Sequence, residues 1–359
     1  MSADPGAFSF GRLLKILLPV LLLAVGIRFT LPGYERAAQK EMEDNMLARL
    51  MGEAVQLPEE TVPFSDADHD LVNDPPAEPA DGEAAAAPER LVFSYIASPE
   101  PEDAAEVWAD VTTAISEATG LPVEYAHYET TGEQFAAMAR DEVHVIGVNT
   151  GAVPTAVANV GFTPVCTFGD AAGEYGYRMK LIVSKDSKAE GLGDLRGKKI
   201  AFTRPDSNSG FKAAMVQLMN DEGMLPERDY QWGFTYDHVT SIHAVAAGEE
   251  AAAPVASDIL DRLTTSGEVS TDDFKVIYDS ERFPPATIGY AHNLPAATRD
   301  AIREALLSFA WEGSSVAAKY ADSGAAQFVA VNYKDDWDNI RRIDEAIRRV
   351  RAQHSAAAE

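Results

Sequence analysis

From Arg90 onward the chain alternates short apolar runs with helical segments, and that rhythm restricts it to an α/β architecture. The apolar runs are Leu91–Ile96, Val123–His127, Val143–Val148, Pro164–Thr167, Tyr177–Ser184, Lys199–Thr203, Gln231–Thr235, Ala251–Val255, Phe274–Tyr278 and Thr287–His292. Helical stretches fall between them: one opening after Pro99–Asp103 and running to about Ala118, then Gln134–Arg140, Gly210–Asp221, Ser241–Ala247, Asp258–Thr265 and Ala297–Ala310. Strands separated by helices of this length predict parallel sheets of βαβ units. In such sheets ligands sit beyond the carboxyl ends of the strands, at helix N-termini. A charged amphipathic segment, Asp335–Arg351, is expected to pack on this body as a final helix. No fixed-period repeat is present.

The first 89 residues read differently. Residues 16–27 form an uncharged apolar run of 12, preceded by Arg12 and Lys15 and followed by Arg28. The small-x-small pattern Ala24-Val25-Gly26 lies inside the run rather than after it. Counted from Leu13 to Leu31, with Lys15 and Arg28 reaching outward, the segment can just cross a bilayer. Residues 1–33 are therefore expected to be a signal-anchor helix, and cleavage as a signal peptide is the alternative. Arg12 and Lys15 would stay cytoplasmic, placing the remainder outside. Residues 34–89 are expected to be a linker. From Leu57 to Glu89 it holds ten acidic residues, six prolines and no Lys or Arg, the composition of an extended, self-repelling tether. Asp66-Ala67-Asp68-His69-Asp70 imitates the start of a calcium loop, but Leu71 takes the glycine position and Ala77 the bidentate glutamate position.

Charge and cysteine content exclude several function classes. With 57 Asp+Glu against 30 Lys+Arg the formal net charge is −27, which argues against nucleic acid and against capture of anions by a bulk field. Neutral donors at helix starts can still bind an anion locally. The single cysteine, Cys166, excludes an intrachain disulfide and a cysteine-cluster zinc site.

Two strand-to-helix turns suit a small oxyanion. The first is Phe202-Thr203-Arg204-Pro205-Asp206-Ser207-Asn208-Ser209-Gly210-Phe211. Hydroxyl and amide side chains at a helix start either cap it or leave N–H groups directed at a bound anion, which the helix dipole favours. The second is Asn149-Thr150-Gly151, with Pro154 suited to the first turn of the next helix and Gly151 expected to let backbone approach a ligand closely. Facing each other, two such turns would form a clamp.

An ordered series of motifs from about Leu91 to Ala346 resembles the phosphonate/phosphite/phosphate-binding proteins of ABC importers, a branch of the type-2 periplasmic binding-protein fold. The series runs Gly176-Tyr177 with Leu181-Ile182-Val183, then Asp194-Leu195-Arg196-Gly197-Lys198-Lys199-Ile200-Ala201-Phe202, the Ser207–Gly210 turn, Asp237-His238, Ala247-Gly248-Glu249, Ser257-Asp258 and Phe283-Pro284. The resemblance implies a two-lobed Venus-flytrap, with one lobe at 90–178 plus 284–359 and the other at 179–283. It implies that Ser207, Asn208 and Ser209 hold phosphoryl oxygens, Asn208 standing where threonine is commoner. It places His238 and Tyr177 as donors to the anion. A second family tyrosine falls on or near Thr131, whose reach is shorter, and Tyr95 is the candidate to fill that gap. Asn149 and Thr150 complete the expected ligand set.

Aminophosphonate binders of this family surround the substrate ammonium with two carboxylates. The first falls on Asp258; the second falls near Ala286 and is missing. This leans toward phosphate, phosphite or a simple alkylphosphonate. The implied partners are that oxyanion, the subunits of an ABC permease and the membrane, with no nucleic acid, no metal and no cofactor. The implied place is the periplasmic side of the inner membrane, anchored or released after signal cleavage. A competing reading is a membrane-anchored sensor whose binding domain does not transport. An enzyme is disfavoured: Ser209, His238 and Asp258 imitate a triad, but no Gly-x-Ser-x-Gly elbow is present, and helix-capping serines direct their hydroxyls at the helix.

Overall fold

The structure of the protein, a computed structural model, describes residues 57, 64–66, 87–95 and 103–355. The expected anchor at 1–33, most of the 34–89 linker and the calcium-like stretch beyond Asp66 lie outside the described residues. Among the described residues, no helix is long and apolar enough to cross a membrane.

Among the described residues, eleven strands form two sheets. The first sheet holds β1 (Leu91–Tyr95), β2 (Val123–Tyr125), β3 (Val145–Val148), β4 (Phe162–Gly169), β10 (Thr287–Ala291) and β11 (Gln327–Ala330), in the order β11-β4-β10-β3-β1-β2. The second holds β5 (Tyr177–Ser184), β6 (Lys199–Phe202), β7 (Gln231–Phe234), β8 (Ala252–Ala256) and β9 (Phe274–Phe283), in the order β7-β6-β8-β5-β9. The chain crosses from first sheet to second between β4 and β5, and returns through Pro284–Ala286 into β10.

The sheets are mixed rather than parallel throughout, which corrects the βαβ expectation. β1 pairs in parallel with β2 and β3, and β6 with β7 and β8. The strands next to the crossings run the other way: β5 is antiparallel to β8 and β9, and β10 to β3 and β4. A strand arriving from the other sheet enters without a crossover helix of its own, so nothing forces it parallel. β3, β8 and β10 are buried at every residue, as strands covered on both faces must be. β11 has no counterpart among the apolar runs, because this edge strand buries only Phe328 of its four residues.

Each sheet has its own core. In the second, Ile242 and Val245 of the helix His238–Ala246, and Leu260 and Leu263 of the helix Ser257–Ser266, pack on Ile182, Ala201, Ala253 and Val255. In the first, Phe93, Ile115, Phe135, Ile146, Ile288 and Ile302 are wholly buried. Cys166 of β4 is wholly buried beside them, and burial pushes its thiol pKa up. The final helix, Asp338–Ser355, does pack on the body, but it reaches the helix Ala213–Glu222 that follows β6, so it ties the C-terminus to the second-sheet half. Even the linker touches the body: Phe64 N–H donates to the Ala158 carbonyl at 2.7 Å, and its ring meets His292 edge-on.

Candidate functional site

Because β6, β7 and β8 run parallel, their carboxyl ends share one edge of the second sheet. A helix starts just beyond each, at Asn208, His238 and Ser257. Across from them, β3 ends in Asn149-Thr150-Gly151 before the helix Val153–Val160, with Pro154 in its first turn. A cavity of about 240 Å³ lies between these turns. The first-turn N–H groups of a helix lack intrahelical acceptors and its dipole favours negative charge, so the edge is electrostatically suited to an anion without a net positive surface.

The Ser207 turn is built tightly. Asn208–Lys212 form one π-helical turn leading into Ala213–Glu222. Ser207 caps it, its Oγ accepting from Gly210 N–H at 3.1 Å. Only glycine fits at 210, because a Cβ there would collide with the Thr203 side chain. Widened turns of this kind rearrange the first N–H groups of a helix and recur at functional sites. Asn208 and Ser209 are buried at 2% and 1% exposure. Both amide atoms of Asn208 and the Thr203 hydroxyl have no hydrogen-bond partner among the described residues. All three residues line the cavity, so a ligand there meets donors the protein leaves unused.

His238 is held as a donor. Ala256 N–H donates to its Nδ1 at 3.2 Å, which leaves the proton of the neutral ring on Nε2, 3.4 Å from Ser207 Oγ. Enclosure by protein pulls the pKa of His238 down to about 4, with the Arg204 cation adding to the effect and Asp237 opposing it. The ring is therefore neutral near pH 7, with an N–H directed toward the Ser207 turn. Tyr177 is buried, its phenol facing Thr150, Asn208 and Ser209, and burial raises its pKa, so it also stays a neutral donor. Asp258 is open to the cleft yet surrounded by protein; this enclosure raises its carboxyl pKa, with the N–H groups of Ile259 and Asp258 partly offsetting it.

The depressed pKa of His238 gives a pH signature. An unhindered imidazole titrates near 6.5, so between about 6.5 and about 4 the unfolded chain binds the extra proton and the folded chain does not. The stabilisation is complete above that window and lost as pH falls through it. In thermal denaturation from pH 7 to 4, the wild type should lose up to about 1 kcal/mol more per pH unit than His238→Gln. Parallel curves for the two proteins would contradict this protonation state.

Of the residues expected in the site, Asn149, Thr150, Tyr177, Ser207, Asn208, Ser209, His238 and Asp258 line the cavity together, and Ala286 stands at its wall. Two do not. Thr131 is buried and its hydroxyl donates to Asp206 at 2.9 Å. Tyr95 lies in an adjoining part of the cleft, its ring stacked 4.5 Å from Trp108. Asn149 and Thr150 are also engaged elsewhere. Asn149 Nδ2 donates to Asp206 at 2.9 Å, and Thr150 Oγ1 donates to the Pro284 carbonyl at 2.7 Å.

Asp206 was not singled out by sequence, yet it joins the two halves. Its carboxylate accepts from Thr131 and Asn149 of the first and from the Arg204 guanidinium of its own turn. Beside it, the buried Lys212 ammonium donates to the Gly151 carbonyl at 2.6 Å and to Asp344 of the final helix at 2.9 Å. Gly151 is the contact point. A Cβ there would run into the Asp206 carbonyl and come within 2.7 Å of Asn208 N. Its smallness admits the opposing backbone rather than a ligand. Gly151→Val is accordingly expected to hold the halves apart and weaken ligand binding by about tenfold or more, read by titration calorimetry. Tyr236, a further lining residue that sequence did not mark, sits at φ 65°, a left-handed conformation rare for a bulky side chain, and is 64% exposed at the rim.

Known proteins resemble this chain. A family profile described as "ABC transporter, phosphonate, periplasmic substrate-binding protein" matches residues 93–337. The phosphonates-binding periplasmic protein of Escherichia coli K12 is 30% identical over 143 residues, which are 39% of this chain and 42% of that protein, so the match spans less than half of that relative. Among solved structures, the binding component of an ABC phosphonate transporter from Pseudomonas aeruginosa superposes with a TM-score of 0.57 at 17% identity, covering 75% of this chain and 99% of that one. PhnD1 from Prochlorococcus marinus MIT 9301, in complex with methylphosphonate, gives 0.59 at 12% identity, covering 73% and 99%. At those identities the structural likeness speaks for the fold alone. The profile match, covering most of the chain with the strands and helix starts of the cleft inside it, shows that this chain belongs to the periplasmic substrate-binding proteins of phosphonate ABC transporters.

Proposed function

We propose that the protein captures a phosphorus oxyanion (phosphate, phosphite or a phosphonate) in the cavity between its two halves and delivers it to an ABC permease. The observation that carries this reading is the buried cluster around Asn208, where the Asn208 amide and the Thr203 hydroxyl have no hydrogen-bond partner among the described residues, beside the neutral donors Ser209, Tyr177 and His238. Unpaired buried polar groups are costly, and a tetrahedral anion would satisfy several at once. Residues 90–178 plus 284–359 and residues 179–283 act as the two moving lobes, with the bound anion stabilising the closed state. Residues 1–33 hold the protein at the outer face of the inner membrane, and the acidic linker keeps it close to the permease, raising its effective concentration there.

Calorimetric titration of the full-length protein with phosphate, phosphite, methylphosphonate and 2-aminoethylphosphonate tests this. At least one is expected to bind with micromolar or tighter affinity. Heat-silent injections of all four would overturn the reading.

A further inference from the structure

The cleft does not end at the site cavity. It continues into a chamber of about 880 Å³, and Tyr177, Asp258, Ile259, Pro285 and Ala286 line both spaces, so the two adjoin. The inner cavity of about 240 Å³ amounts to roughly eight water volumes, already enough for a phosphoryl group carrying one or two carbons. A ligand of that size leaves the chamber unused, although its volume alone falls in the ~300–1,000 Å³ range of whole organic-ligand sites.

The chamber wall has a definite chemistry. Tyr95, Phe168, Tyr175 and Tyr320 line it, and all four rings are half-buried rather than packed away. Three of them pack on other rings: Tyr95 stacks on Trp108 at 4.5 Å, and Phe168 and Tyr320 lie 4.7 Å apart. Aromatic rings that line a cleft favour flat, polarisable partners by offset or edge-on stacking. Arg262, Arg282 and Lys319 line the same space, and the Arg282 guanidinium makes only a 3.5 Å contact to the Gly176 carbonyl among its described hydrogen bonds. Asp258 stands where the two spaces meet, its carboxylate open to the cleft.

We propose that the natural ligand is a phosphonate or phosphate monoester whose substituent carries a planar ring, with the phosphoryl group in the inner cavity and the ring against the Tyr95–Phe168–Tyr320 wall. The inference rests on the phosphorus-oxyanion reading above and specifies what is attached to the phosphorus. Ala286 is the smallest side chain among the residues that line both spaces.

The experiment is calorimetric titration of the full-length protein with methylphosphonate and with benzylphosphonate, for the wild type, Ala325→Trp and Tyr320→Leu. Ala325 and Tyr320 line the chamber and not the inner cavity. The wild type should bind benzylphosphonate about tenfold or more tightly than methylphosphonate, from ring stacking and apolar burial. Each substitution should cut benzylphosphonate affinity about fivefold or more and leave methylphosphonate within about twofold. Benzylphosphonate binding no tighter than methylphosphonate to the wild type would overturn the proposal whether or not the variants fold, as would variants that weaken both ligands equally. Failure of both ligands to bind would overturn the phosphorus-oxyanion reading as well, which separates the two outcomes.

Discussion

Replacing Ser207 and Ser209 together by alanine is expected to weaken the best-binding phosphorus oxyanion by about 100-fold or more. A hydrogen bond to a charged group contributes about 1.5–3 kcal/mol, so two lost hydroxyls account for that factor even at the low end. The Ser207 change acts twice, because its Oγ also accepts from Gly210 N–H and so shapes the π-helical turn that presents Asn208 and Ser209. Loss of that cap alone costs about 1 kcal/mol of stability. The single variants divide the effect: Ser209→Ala should lower affinity with little change in melting temperature, whereas Ser207→Ala should lower both. Calorimetric affinities of the double variant within about threefold of wild type would remove the turn from the binding site.

The second large effect belongs to the contact between the halves. Asp206 is 6% exposed and its carboxylate accepts from Thr131, Asn149 and Arg204. Asp206→Ala leaves a guanidinium and two polar side chains facing a void, and removing one partner of a buried charged network costs about 3–5 kcal/mol. The same substitution releases the first half from the second, so the ligand-free protein should scatter X-rays with a larger radius of gyration as well as melting earlier. Lys212→Met is expected to act in the same direction, because Lys212 ties Gly151 and Asp344 to the second half. Earlier melting with an unchanged scattering profile would mean that Asp206 stabilises only its own turn. Ligand should partly restore compaction in the Asp206→Ala protein, since binding supplies the bridge that the carboxylate no longer makes.

Much of this architecture was legible in the chain, and the exceptions have physical causes. Among the described residues, ten of the eleven strands coincide with the apolar runs, most plainly β3, β8 and β10, which are buried at every residue. β11 escapes since it lies at an edge and buries one residue. Strand direction escapes too: β5, β9 and β10 carry the same kind of sequence whichever way they pair, and only the two crossings decide. In the cleft, the Ser207 turn stood out because residues beside a helix start carry a local signature, whereas His238 and Tyr177 were placed by resemblance. Asp206 did not stand out. It lies in the same turn as Ser207, but what it does depends on Thr131 and Asn149, 75 and 57 residues away. Gly151 was picked out for the right property and the wrong neighbour, since its lack of a side chain admits backbone from across the cleft. Thr131 and Tyr95 were placed by resemblance, and the structure gives them to the Asp206 contact and to the outer chamber.

The burial of Cys166 has a practical side. It is the one cysteine of the chain, it has no exposed surface, and its thiol is held protonated by its apolar surroundings. A maleimide dye offered to the native protein therefore finds no thiolate to attack. A cysteine introduced at the exposed rim, as in Tyr236→Cys, becomes the sole attachment point without any change to the natural chain elsewhere. A single fluorophore placed there sits at the mouth of the cleft, so the protein can serve as its own optical reporter of ligand capture.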